Sequence, residues 1–290
     1  MATAKTILVT GANGQLGNEF RVMAAVYPQY KFLFTDKEQL PINNIEIVKT
    51  YFTKHAIDYC INCAAYTAVD KAETEKESVF AINAAAVGNL AAICKVFNTQ
   101  LIHISTDYVF DGTSQFPYKE TDKTNPINIY GQSKLKGEEL ALQNNPGTII
   151  IRTSWVYAAF GNNFVKTMRR LMKERESINV VNDQFGSPTY AADLAAAIMQ
   201  IVLQSSVVSP QWSVFHYCNH GIITWYEFAV AIKELTQSNC IVNPIPTTQY
   251  PTPAKRAKYT ALDTALIKNT FDLKIPRWKD SLEKCLKLLQ

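Results

Sequence analysis

Residues 5–36 read KTILVTGANGQLGNEFRVMAAVYPQYKFLFTD, and the fold is decided in this stretch. KTILVT (5–10) is short, apolar and rich in β-branched residues, which is a strand signature. GANGQLG (11–17) follows at once. From Gln15 to Val26 the spacing turns helical, with Leu16, Phe20, Met23 and Ala24 on one side. KFLFTD (31–36) is then a second strand. Gly11, Gly14 and Gly17 fall as G-x-x-G-x-x-G at the turn from strand to helix, so unpaired helix N–H groups would face a pyrophosphate. The first glycine makes the turn, the second lets phosphate approach the backbone, and the third lets the helix pack closely. Taken alone, the triplet also fits a plain tight turn. Asp36 ends the second strand 19 residues after Gly17, where an acid reaches the ribose of a bound dinucleotide. A carboxylate there favours a free 2′-hydroxyl and argues for NADH, while the neighbouring Lys37 softens repulsion of a 2′-phosphate. Both NADH and NADPH stay open.

Outward from that unit the rhythm continues. Helical spacing covers Ile45–His55, Glu75–Phe97 and Asn128–Gln143, between strand-like runs YCINCA (59–64), QLIHIST (100–106) and TIIIRTSW (148–155). Continuous apolar strands alternating with helices imply a parallel sheet covered on both faces. The expected class is α/β, a Rossmann-like doubly wound parallel sheet with a smaller α+β substrate-binding lobe. Residues 1–155 are read as the dinucleotide-binding domain and 156–290 as mainly the substrate lobe, some of whose elements return to the main sheet. The second half holds helices over Asn163–Glu174, Ala191–Leu203 and Thr224–Leu235, a strand and a loop in INVVNDQFGSPTY, the proline-rich NPIPTTQYPTPAK, and a last helix from Trp278.

Composition sets limits. The chain has 290 residues, 47% hydrophobic and 19% charged, ordinary for a packed enzyme. Net charge is only +4; residues 255–290 carry nine Lys/Arg against four Asp/Glu, a basic tail that is either a solvated face or a field favouring a dianionic substrate. No basic stripe interleaved with aromatics appears, so no nucleic-acid partner is expected. No stretch is read as offering the roughly 18 uncharged apolar residues of a membrane span. The N-terminal apolar run is too short for a signal peptide. A cytoplasmic location without membrane contact is expected. Six cysteines suit free thiols in a reducing compartment. Cys60 and Cys63 form a C-x-x-C pair, but three apart on a strand they face opposite sides, which favours an inert reading.

Tyr130 and Lys134 lie four apart on a helix and so share a face. Ketone reduction needs a hydride and a proton for the nascent alkoxide. A free tyrosine, with pKa near 10, exchanges its proton reluctantly at neutral pH. An ammonium about 4–5 Å away would favour the phenolate by roughly 3–4 kcal/mol, bringing the phenol toward working pH. Lys134 can also hold the nicotinamide ribose. Ser105-Thr106-Asp107 closes a strand at its carboxyl end, the edge where ligands bind in doubly wound sheets. A hydroxyl there can hydrogen-bond a substrate carbonyl.

These segments, with NCAAYTAVDKAE (62–73), HISTDYVFDG (103–112), ETDKTNPINIYGQSKLKGE (120–138), RTSWVYAAFGNNFVKTM (152–168), VNDQFGSPTYAADL (181–194) and YPTPAKRAKYTALDT (250–264), resemble the extended short-chain dehydrogenase/reductases, and among them the dTDP-4-dehydrorhamnose reductase family. The resemblance implies hydride transfer from NADPH or NADH to the C4 keto group of a nucleotide-linked sugar, dTDP-4-dehydro-L-rhamnose, and it admits a homodimer. It implies a catalytic set of Thr106, Tyr130 and Lys134. Cofactor contacts fall on Gly11, Asn13, Gly14, Gln15, Leu16, Asp36, Ala65, Tyr66, Thr67 and Asn83, besides Tyr130 and Lys134. Substrate contacts fall on Val69, Thr106, Asp107, Trp155, Asn163 and Arg256, with Asn162 beside them. Trp155 fits core packing at a strand end as well, and Arg256 a solvated tail charge. Pro41 stands where relatives carry an acid, and Arg256-Ala257 where an arginine-proline pair is usual. Magnesium held by glutamates is associated with some relatives; Glu19 is present, the later position falls near Ala192 with Asp193 adjacent, and no metal ligand is assigned. Two rivals share the lineage: a nucleotide-sugar epimerase or dehydratase, and a non-catalytic regulatory subunit similar to that of methionine adenosyltransferase. A dehydratase usually has Asp-Glu after the threonine, whereas Asp107 is followed by Tyr108.

Overall fold

KTILVT forms strand β1 (Lys5–Thr10), in which Ile7, Leu8 and Val9 are fully buried because successive side chains enter cores on opposite faces of the sheet. The computed structural model describes residues 4–204 and 213–289. The chain runs on through α1 (Gln15–Ala24), β2 (Tyr30–Thr35), α2 (Ile45–Lys54), β3 (Tyr59–Asn62), α3 (Val69–Ala72), α4 (Lys76–Phe80), a π-helical turn (Ala81–Ala85), α5 (Ala86–Val96), β4 (Gln100–Thr106), α6 (Ile129–Asn144) and β5 (Ile149–Thr153). The six-stranded sheet has the order β10-β5-β4-β3-β1-β2, where β10 is Val214–His216. Every pairing in it is parallel. The expected doubly wound sheet is therefore present. The chain enters at β1, moves outward to β2 and returns to β3 on the other side, so the winding reverses between β1 and β3. Ligands bind above the carboxyl ends of strands at such a reversal.

One core packs Ile7, Val9, Ile61, Ile102 and Ile151 under α1 and the helix α8 (Ala191–Leu203). The other packs Leu8, Cys60 and Leu101 against Val48, Phe52, Val87 and Leu90 of α2 and α5. Cys60 belongs to the second core, whereas Cys63 packs against the first, and all six cysteines are free. The opposite-face expectation for this pair holds, although β3 ends at Asn62 and Cys63 lies just beyond it.

The helix expected over 75–97 is interrupted by the π turn. That extra residue per turn aims Asn83 inward, where it is 1% exposed. Here α6 passes so close that a Cβ on Gly137 would sit 2.0 Å from the Asn83 carbonyl oxygen. By length and composition, Lys76–Val96 is long and apolar enough to cross a membrane, with mean hydropathy 1.7 in its most apolar window; 56% of that window is buried inside the fold. This corrects the reading that no such stretch exists. The hydropathy comes from an alanine-rich helix packed between α6 and the sheet.

The second half continues with β6 (Val156–Tyr157), α7 (Phe164–Glu174), β7 (Ser177–Val181), β8 (Phe185–Gly186), β9 (Thr189–Tyr190), α8, β10, β11 (Ile223–Thr224), α9 (Trp225–Leu235), β12 (Ile241–Ile245), α10 (Ala265–Thr270) and α11 (Trp278–Lys287). INVVNDQFGSPTY thus holds three short strands where one was expected. They pair as β6-β9, β8-β11 and β7-β12. β12 lies in the proline-rich stretch; among the described residues its one strand partner is β7, so Pro244 sits on an edge where a missing N–H is tolerated. Val165, Met168, Phe228, Ile232, Leu282 and Cys285 from α7, α9 and α11 build a separate core for this half. α8 and β10 belong instead to the main sheet.

Candidate active site

Four segments meet above the β1/β3 reversal and enclose a cavity of about 750 Å³. The first is the glycine loop. Gly11 has φ +62°, and a Cβ there would lie 2.6 Å from the backbone nitrogen of Ala64, so only glycine lets the β1 and β3 loops close the floor of the crevice. α1 starts at Gly14 without a side-chain cap, leaving its first N–H groups for a ligand. A phosphate-bearing dinucleotide fits this cradle. Asp36, at the end of β2, lines the same cavity. One oxygen accepts from Glu38 and Gln39 N–H, the other from Asn13 at 2.7 Å, and these bonds hold its carboxyl below the usual range.

The second segment follows β3. Ala65, Thr67 and Val69 face the cavity. Tyr66 does not: its backbone N–H donates to Asn83 Oδ1 (2.8 Å), its carbonyl accepts from Asn83 Nδ2 (3.0 Å), and its phenol donates to Glu75. Asn83 donates also to Ser133 of α6. The π turn thus clamps the β3 loop to the helix that carries Tyr130. Tyr66 and Asn83 thus stand behind the residues that line the cavity.

The third segment joins β4 to α6. Asn128 caps α6 by accepting from Gly131 N–H at 2.8 Å, fixing the register of Tyr130 and Lys134, both of which line the cavity. Thr106 closes β4, accepts from Tyr108 N–H (3.2 Å) and donates to Asp107 Oδ1 (3.0 Å). Asp107 is buried, and the Thr260 hydroxyl lies close enough to act on its carboxylate. Burial pushes its carboxyl up to about 6, against hydrogen bonds that pull the other way.

The expected electrostatics of the Tyr130–Lys134 pair need correction. Burial pushes the Tyr130 phenol well above its ordinary value; Thr106, close enough to interact with its oxygen, works in the other direction, and Lys134 is not among the groups acting on it. Lys134 Nζ turns toward β4, 2.6 Å from the Ile104 carbonyl and 3.2 Å from His103 Nε2. Spacing of four put both residues on one face, as expected, but a buried carbonyl captured the amine. Burial lowers Lys134 to about 8. One turn on, Glu138 is engaged by Arg152 (2.7 Å) and by the Ser105 hydroxyl, a buried ion pair that ties α6 to β4 and β5.

The fourth segment is the β5–α7 connection. Trp155 has φ +47°, sparsely populated for a bulky residue, and stacks on Trp225 at 3.6 Å while lining the cavity. It is at once packed and ligand-facing. Asn162 lines the cavity; Asn163 instead caps α7 and donates to Gln15 Oε1 at 2.9 Å. Gln15 Nε2 donates to the Val156 carbonyl, so this amide straps the glycine loop to the second half. Arg256 lies in a small adjoining crevice shared with Tyr108 and Trp155, paired with Asp70 at 3.0 Å; it is neither a solvated tail charge nor part of the main cavity.

The whole chain from residue 5 to residue 290 matches the profile of the RmlD substrate binding domain. The chain belongs to the RmlD substrate binding domain family. Within this family it is 39% identical over 284 residues to the dTDP-4-dehydrorhamnose reductase of Aggregatibacter actinomycetemcomitans, covering 96% of this chain and 97% of that one. Among solved structures it is similar to a dTDP-4-dehydrorhamnose reductase from Clostridium acetobutylicum (TM-score 0.93, 40% identity, 98% of this chain and 99% of that one). It is also similar to one from Bacillus anthracis solved in complex with NADP (TM-score 0.92, 38% identity, 98% and 99%).

The sequence reading missed the role of His103, which opens the HISTDYVFDG segment but becomes visible as a partner only once Lys134 is placed. It also missed Ser154, beside Trp155, and Leu194 of α8 in the lining. One Glu19 carboxylate oxygen is buried without a hydrogen-bond partner. Asp193 Oδ2 accepts from Asn219 and Ser281, and burial, with Asp193 nearby, pushes Glu19 up to about 7. Among the described residues no three His, Cys, Asp or Glu side chains gather to hold a metal.

Proposed function

We propose that this protein is an NAD(P)H-dependent oxidoreductase that reduces the C4 keto group of dTDP-4-dehydro-L-rhamnose to give dTDP-L-rhamnose. The observation that carries the reading is one cavity holding an uncapped helix N-terminus, Asp36, Thr106, Tyr130 and Lys134 at the reversal of a doubly wound sheet. Reductases of that name are its full-length relatives.

NAD(P)H, when bound, supplies the hydride. The protein's part is to bind, orient and move a proton. The N–H groups at the start of α1 and the closely approaching Gly11 backbone receive the pyrophosphate. Asp36 receives the adenosine ribose, and Ala65 and Thr67 wall the cofactor side. Lys134 serves the nicotinamide ribose. On the substrate side the Thr106 hydroxyl turns from Asp107 Oδ1 to donate to the carbonyl oxygen, Asp107 accepts from a sugar hydroxyl with its other carboxylate oxygen, and Val69 and Trp155 pack the ring. Tyr130 is protonated throughout the physiological range, and that is the form reduction requires: its phenol gives its proton to the alkoxide forming at O4. Gln15 and Asn163 couple the two halves; residues 1–155 hold the cofactor and the substrate-side groups named above, and 156–290 complete the wall with Val156, Gly161, Asn162 and Leu194. The reading places the enzyme in the cytoplasm among its soluble nucleotide substrates, as a homodimer that light scattering would detect.

Mixing the protein with dTDP-4-dehydro-L-rhamnose and NADPH or NADH tests the reading. One cofactor oxidised per sugar nucleotide consumed supports it. An epimerase would convert the sugar without consuming added cofactor, and a regulatory subunit would do neither.

A further inference from the structure

Lys134 ends a chain of buried polar groups whose direction can be read from one end. The Ala64 N–H can only donate, and it reaches Asn62 Oδ1 at 3.2 Å; the Thr10 hydroxyl donates to the same oxygen at 2.7 Å. Asn62 therefore turns its Nδ2 to His103 and donates to Nδ1 across 3.1 Å. A neutral imidazole that accepts at Nδ1 carries its proton on Nε2. Burial, with Lys134 beside it, holds His103 neutral, its pKa well below the ordinary value. Nε2–H then points at Lys134 Nζ, 3.2 Å away. That contact is a hydrogen bond only if Nζ offers a lone pair. An ammonium there would set two donors against each other.

We propose that His103 is a positioning residue that favours the neutral amine of Lys134 in the ligand-free protein, so that it is populated in mildly alkaline solution, and that binding of the anionic dinucleotide makes that amine take up a proton. The proton comes from solvent and adds to the Nζ lone pair; Nζ keeps its bond to the Ile104 carbonyl, and the Nε2–H contact gives way. The other groups facing the amine permit this. Glu138 on α6 favours the ammonium but is already engaged by Arg152 and Ser105. The Cys63 thiol beyond β3 is kept neutral by burial. Tyr130, lining the same cavity, carries no charge at neutral pH. Burial that lowers Lys134 to about 8 makes the neutral form accessible. The inference takes the ligand's identity from the reductase reading.

Calorimetry of NADPH binding at about pH 8.5, in two buffers of different ionisation enthalpy, reads the proton directly and requires no turnover. Uptake of roughly half a proton or more, abolished in Lys134→Met, is the expected result; no uptake by the unmutated protein overturns the proposal. In the pH profile of kcat/KM, His103→Leu should move the alkaline limb up by about one pH unit, the effect of losing one hydrogen bond to the neutral amine. His103→Gln, which offers an amide N–H near the position of Nε2, should restore the limb. A folded His103→Leu protein with an unmoved limb refutes the role. If that variant does not fold, the calorimetric pair decides alone. A protein that takes up the proton with NADPH yet reduces no sugar would sink the reductase reading and leave this one standing.

Discussion

Replacing Tyr130 by Phe removes a single oxygen from a side chain that its surroundings already hold. The ring packs edge-on against Tyr108 at 5.5 Å and 80°, and α6 is pinned by the Asn128 cap. Burial disfavours the charged phenolate and Thr106 acts on the phenol oxygen, so loss of the hydroxyl should change stability by less than about 1 kcal/mol. The cavity and the uncapped start of α1 are untouched, so cofactor affinity should stay within a few-fold. The chemical step, however, loses its proton donor. Loss of a positioned general acid lowers turnover about 100- to 10,000-fold, or roughly 3–5 kcal/mol of barrier. Steady-state kcat at saturating NADPH and dTDP-4-dehydro-L-rhamnose reads this, with NADPH titration and thermal unfolding as controls. The pH profile adds a sign. Because burial raises the phenol, its acid form persists through neutrality and the unmutated kcat should show no phenol limb below about pH 10. A folded Tyr130→Phe protein retaining more than about a tenth of the original kcat would refute the assignment of the acid.

Other consequences follow from the same geometry. Lys134→Met should weaken NADPH binding about 10- to 100-fold, the loss of one hydrogen bond to a charged group, measured by titration. Glu138→Ala leaves Arg152 buried and unpaired and should cost roughly 3–5 kcal/mol in chemical denaturation. Gly11→Ala must fit a methyl 2.6 Å from the Ala64 nitrogen at φ +62°, and should lower both stability and cofactor affinity, by about 1–3 kcal/mol in denaturation. Glu19 binds its proton more tightly folded than unfolded, so stability should fall as pH rises from about 4.5 toward about 7; Glu19→Gln should flatten that slope in pH-dependent melting.

The sheet was legible because its signal is local. Apolar runs of strand length alternating with helical spacing leave little besides a doubly wound sheet, and the glycine triplet marks its first turn. β10 escaped because three residues beside a polar stretch carry no periodicity; only pairing with β5 makes Val214–His216 a strand. The π turn escaped because 3.6-residue spacing cannot reveal one inserted residue, although that residue aims Asn83 at Tyr66. Asn163, a substrate candidate by resemblance, caps α7 in the structure, a role that asparagine fills well and that the resemblance does not reveal. The Tyr130–Lys134 spacing fixed a shared face but not a rotamer. A buried amine goes to the strongest acceptor within reach, here the Ile104 carbonyl, and side-chain spacing holds no record of backbone carbonyls.

The central claim is direct delivery of hydride to the sugar ring with the protein supplying only the proton. NAD(P)H deuterated at the transferring position, incubated with dTDP-4-dehydro-L-rhamnose and this protein in ordinary water, should give dTDP-L-rhamnose with one deuterium bound to C4. Sugar converted without deuterium at that carbon, or cofactor left unoxidised, would contradict it.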